Sequence, residues 1–139
     1  LMSSTIRFDE QMITGDQEID AQHREWVDIA NVLMAIERPS AAGIAFTDAA
    51  FRLVRYSRHH FRTEEALMER IGYPRLDQQR VDHARIMAVL ERCFDDNADQ
   101  TAFMRDMKRL LCEWVDSHLL EEDMLLRDFL QQREPSTEG

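Results

Sequence analysis

The stretch Arg58-His59-His60-Phe61-Arg62-Thr63-Glu64-Glu65-Ala66-Leu67-Met68 decides the fold, because it sets a histidine and a carboxylate where a helix should be apolar. Steps of four and three residues outward from it give Phe46, Ala50, Leu53, Ser57, His60, Glu64, Leu67 and Ile71, the inward stripe of a bundle helix. His60 and Glu64 therefore point into a core. An ionised carboxylate is costly to bury unless it is paired or bound to a metal, so the other helices must supply a partner for Glu64.

The chain has the length of one domain, 139 residues, and 44% of them are hydrophobic. Four glycines, three prolines and an abundance of Leu, Ala, Met, Glu and Arg favour helix over sheet. A formal charge of −10 without a local Lys/Arg cluster argues against nucleic acid and anionic membrane surfaces as partners. Cys93 and Cys112 lack the spacing of a redox or zinc motif and read as reduced core thiols. No apolar run reaches the length of a membrane span and no signal-peptide pattern opens the sequence, so a cytoplasmic location is expected.

Residues 1–18 show no sustained period and are expected to form an extended arm whose Phe8 and Ile13 lie on the body of the protein. Residues 19–132 should form the bundle, and 133–139 a flexible tail. The first helix is expected from an N-cap at Asp20 to about Glu37, ended by Arg38-Pro39-Ser40, with Ile19, His23, Trp26, Ala30 and Leu33 inward. The second begins in the low forties and ends at Ile71, before Gly72 and Pro74. A third, from near Pro74, carries Leu76, Gln79, His83, Ile86, Leu90 and Cys93. Asp95-Asp96-Asn97-Ala98-Asp99 breaks the period ahead of a fourth, with Met104, Met107, Leu111, Trp114, His118, Leu125 and Phe129 inward. Four amphipathic helices with short connections predict an all-α, antiparallel up-and-down four-helix bundle.

Each helix thus places one histidine inward: His23, His60, His83 and His118. Counting helix rise from the connecting loops sets three of them at a common level and leaves His118 the poorest match. A single inward histidine is ordinarily a hydrogen-bonded core residue, but four of them around Glu64 indicate a metal site. Imidazole and carboxylate donors suit iron, zinc or manganese, with iron preferred if two carboxylates bridge. Periodicity leaves the second carboxylate open. Glu122 follows His118 by four residues, the usual helical spacing, whereas Asp123 at five is rotated by about 140° in an α-helix.

The segments Asp20-Ala21-Gln22-His23, His60-Phe61-x-x-Glu64-Glu65-x-Leu67-Met68, Gly72-Tyr73-Pro74 and His118-x-x-x-x-Asp123 together resemble the bacterial hemerythrins over nearly the whole chain. The resemblance implies two iron ions (Fe2+/Fe3+) bridged by an oxo or hydroxo group and by Glu64 and Asp123. It also implies that His23 and His60 hold the iron with an open position for dioxygen, and that His83 and His118 hold the other. Phe61, Trp114, Val115 and Leu119 match positions of the family's apolar oxygen pocket, with Phe8 as a cover, although the same residues would pack any core. One position departs from the pattern: Gln79 stands where the family offers a further histidine, and its amide is a weaker donor than imidazole. Gln79 is therefore a candidate metal ligand or hydrogen-bonding neighbour, and the iron beside it is expected to be more labile and more readily oxidised.

The function expected is oxygen binding or carriage without catalysis beyond incidental peroxidase activity. The alternative is an oxygen- or redox-sensing input that oxidises rapidly, served by a fused or separate signalling domain. Leu1 in place of a starting methionine and the polar tail would suit a piece of a larger protein, although a trimmed end would look the same. A di-iron redox enzyme acting on peroxide or nitric oxide is more remote, because no histidine has the glutamate three residues earlier that ferritin-like sites use. A metal-free helical interaction module would leave the inward histidines unexplained. Oligomeric state is not fixed by the sequence.

Overall fold

The computed structural model describes residues 6–37, 44–94 and 100–133. Within them the chain forms α1 (Gln17–Met34), α2 (Ile44–Ile71), α3 (Leu76–Leu90), α4 (Gln100–Glu113) and α5 (Asp123–Arg133). A π-helical segment, Trp114–Glu122, joins α4 to α5, so these three make one long fourth rod. The rods pack in sequence as an antiparallel up-and-down four-helix bundle, α1 on α2, α2 on α3 and α3 on the fourth rod, which also returns to α1. No strand occurs among the described residues.

The expected inward stripes of the first three rods are buried, apart from half-buried Ile71 and Leu76 at the ends of α2 and α3. Three local expectations need correction. The cap of α1 is Asp16, not Asp20; its carboxylate accepts from the Ile19 amide at 3.0 Å after Gly15 turns the chain with a φ of 101°. Asp20 is instead buried inside α1 and accepts from the Thr14 amide, the Thr14 hydroxyl and the Gly15 amide at 2.8, 2.8 and 3.0 Å. Cys112 is exposed, because it follows Leu111, which faces the core. Leu125 is 44% exposed and Leu126 fully buried, a one-residue change of register imposed by the π segment. The side chain of Cys93, the breaks at 38–43 and 95–99 and the tail from 134 lie outside the described residues.

The arm is not wholly extended. Asp9 caps a short 3-10 turn, Glu10–Met12, which buries Met12 and packs on the π segment. Asn31 clamps the arm by accepting from the Ile6 amide and donating to the Ile6 carbonyl, each at 2.8 Å. Asp20→Ala would strand the buried Thr14 donors, and we expect urea denaturation to show a loss of about 2–3 kcal/mol, the value of hydrogen bonds to a charged acceptor. An unchanged midpoint would mean that the Asp20 bonds to Thr14 and Gly15 contribute nothing to folding.

α2 ends in a Schellman motif: Gly72, at φ 69°, donates to Glu69 and Tyr73 donates to Met68. The tight reversal returns α3 beside α2, so residues near the two ends of the turn face one another. The apolar core is divided in two. The larger cluster runs from Trp26 and Phe61 through Ile86 to Leu119, and the smaller one gathers Ile19, Leu67, Met68, Tyr73 and Leu126. Between them lies a layer of buried polar side chains.

Candidate metal centre

That layer comprises His23, His60, Glu64, Gln79, His83, His118 and Asp123, none more than 3% exposed. The four histidines do meet at one level, including His118. The structure places Asp123, and not Glu122, in this layer. Five-residue hydrogen bonding in the π segment, closed by the Asp123 amide donating to the His118 carbonyl, brings residue 123 under residue 118. Asp123 is fully buried, while Glu122 turns outward and pairs with Arg75 at 2.8 Å.

Each carboxylate divides its two oxygens between two histidine pairs. Glu64 Oε2 lies 3.1 Å from His23 Nε2 and 3.3 Å from His60 Nε2. Its Oε1 lies 3.1 Å from His83 Nε2 and 3.8 Å from His118 Nε2. Asp123 repeats the pattern, with Oδ2 at 3.2 Å from His23 Nε2 and Oδ1 at 3.4 Å from His118 Nε2. Two groups of donors result, His23–His60–Glu64 and Glu64–His83–His118, with the ligand atoms in each within 4.8 Å of one another.

Three of the four inward imidazoles are held from behind, and His23 Nδ1 is buried without a partner. His60 Nδ1 donates to Gln22 Oε1 at 2.9 Å, His83 Nδ1 to Glu65 Oε2 at 2.8 Å and His118 Nδ1 to Asp82 Oδ2 at 2.6 Å. A proton on Nδ1 leaves Nε2 free to coordinate, and an acceptor behind the ring raises its basicity. Gln22, Glu65 and Asp82 were not singled out as site residues from the sequence. Gln22 and Glu65 adjoin His23 and Glu64 yet serve other rods, as does Asp82, so only the fold reveals their partners. The aromatic surroundings are close as well. Phe61 stacks on His83 at 4.0 Å, and Trp114 stacks on both Trp26 and His118. Leu119 is buried, Val115 and Phe8 are partly buried against the larger cluster, and the Arg24 guanidinium covers the Phe8 ring at 4.8 Å.

Electrostatics follow from this crowding. Burial opposes charge on Glu64, but His60, His118 and His23 outweigh it and hold the carboxyl well below its usual range. Burial also opposes a charged His23, yet Asp123 and Glu64 raise it to about 9. His118 is raised well above its ordinary value against burial by Asp123, Asp82 and Glu64. His60 is lowered, because there burial exceeds the pull of Glu64. A bound cation would compete with the protons that this carboxylate pair attracts.

The residues fit a metal. His60 Nε2, Glu64 Oε1 and Asp123 Oδ2 are buried without a hydrogen bond of their own, although each sits among facing donors. Imidazole nitrogens and carboxylate oxygens converging on two points suit two transition-metal ions sharing both carboxylates. Gln79 adjoins the His83/His118 half, with Nε2 at 3.4 Å from Asp123 Oδ1.

Comparison with known proteins agrees with this donor chemistry. The chain is 27% identical to a bacteriohemerythrin of Clostridium acetobutylicum over 114 residues, covering 78% of this chain and 88% of that one. It is 27% identical to the bacteriohemerythrin of Ralstonia nicotianae over 131 residues, 94% and 92% of the two chains. That of Stenotrophomonas maltophilia is 29% identical over 115 residues, 82% and 74% of the two. The family model of the hemerythrin HHE cation binding domain matches residues 14–130, a span holding all four inward histidines and both carboxylates, and the chain belongs to that family.

Proposed function

We propose that this protein holds two iron ions and binds dioxygen reversibly at one of them. The observation that carries the reading is the division of both buried carboxylates between two histidine pairs. In it His23, His60, Glu64 and Asp123 would hold one ion, and His83, His118 and the same two carboxylates would hold the other. Bound iron would supply the electrons and the open coordination that dioxygen requires. The protein supplies position and exclusion: Gln22, Glu65 and Asp82 fix the imidazoles of His60, His83 and His118, while Phe61, Trp114 and Leu119 keep apolar surface against the layer. Val115 and Phe8 complete the proposed pocket at its edge. Glu64 and Asp123 are committed to metal, so the reading assigns no catalysed reaction.

A second reading, an oxygen- or redox-sensing input, draws on Gln79, which leaves two imidazoles rather than three at the His83/His118 half. One experiment separates the two. Anaerobic reconstitution with ferrous iron should give two irons per chain and a visible charge-transfer band that appears in air and disappears on deoxygenation. A single irreversible spectral change would favour sensing. Fewer than two irons per chain would refute the di-iron reading itself.

A further inference from the structure

The two halves of the centre are more alike than the number of polar residues suggests. Each offers two imidazole nitrogens and one oxygen from each carboxylate. They differ at Gln79, one helical turn before His83 on α3, fully buried and directed into the His83/His118 half. An amide that ligates a metal presents its oxygen. Here the amide nitrogen is the atom turned to the shared carboxylate, and Oε1 is buried without a hydrogen bond. Gln79 thus has amide donors beside the shared carboxylate, and its neutral oxygen is a weaker donor to a metal than an imidazole.

We propose that the His83/His118 half has its own exogenous-ligand position, walled by the Gln79 amide and suited to a small monodentate anion, so that both metals take external ligands. The proposal rests on the di-metal reading. Glu64, Asp123 and the more distant Glu65 and Asp82 supply four negative charges against six on two trivalent ions, so the oxidised centre keeps positive charge and favours an anion. The Gln79 amide supplies donors without adding charge, and its nitrogen, 3.4 Å from Asp123 Oδ1 in a fully buried layer, leaves room only for a small ligand.

The test is calorimetric titration of the iron-loaded, air-oxidised protein with azide, with metal per chain counted on the same sample. The expected result is two azides per chain for the unaltered protein. Gln79→His, which places an imidazole at that position, should bind one azide and release its second iron to a chelator more slowly. Gln79→Leu should still bind two, the second roughly 10-fold or more weakly, the worth of one hydrogen bond to a charged group. One azide on a chain carrying two irons overturns the proposal and leaves the di-metal reading intact. Two azides on Gln79→His, or an unchanged second affinity in Gln79→Leu, also overturns it. Fewer than two irons per chain refutes the underlying reading and the proposal together.

Discussion

Glu64→Ala should empty both halves of the centre at once, taking iron from the proposed two per chain to none at concentrations that load the unaltered protein. Glu64 lies within 3.8 Å of all four inward Nε2 atoms, so among the described residues no other serves both histidine pairs so evenly. Removing it also leaves buried imidazoles without an anion, and breaking a buried charged pair costs about 3–5 kcal/mol, so the metal-free variant should be less stable. Glu64→Gln separates the two effects. The amide keeps the volume and some hydrogen bonds but not the charge, so it should fold better than the alanine variant and still fail to load. Added metal gives a second readout. A ligand that binds only the folded state contributes about 2.7 kcal/mol per site at 100 times its dissociation constant, so iron should raise the melting temperature of the unaltered protein and not that of either variant. Two irons retained by Glu64→Gln with unchanged affinity would end the shared-carboxylate reading.

Most of the bundle was legible because helical periodicity reports burial directly. The stripe from Phe46 to Leu67 is buried throughout in α2, and the polar members His60 and Glu64 are as deep as the leucines. The same count fails after His118. A stripe projected at the α-helical period selects Leu125, whereas the chain buries Leu126, because the π segment inserts one residue into the turn. Period alone carries no sign of that insertion. Asp20 failed for a different reason: both Asp16 and Asp20 are good caps, and the choice depends on the reversal at Gly15 and on Thr14, which needs a buried acceptor. The supports at Gln22, Glu65 and Asp82 were beyond reach, since each reaches a histidine on another rod.

The π segment also yields the sharpest contrast between adjacent residues. Asp123→Ala should abolish loading of at least one metal and weaken the other, because Asp123 oxygens face His23 on one side and His118 on the other. Glu122→Ala should leave iron content unchanged. Its carboxylate holds the exposed guanidinium of Arg75 through bonds of 2.8 and 3.0 Å from Nη2 and 3.2 Å from Nε, outside the buried layer. Exposed ion pairs contribute little, so Glu122→Ala should also melt close to the unaltered protein. In an ordinary α-helix the outcome would be reversed, since the residue four positions after His118 would share its face. Iron loss in Glu122→Ala with retention in Asp123→Ala would therefore mean that the chain in solution follows the α-helical register. The opposite result would tie the second carboxylate to the one-residue insertion, and with it the ability of a helix to present His118 and Asp123 to the same buried metal centre.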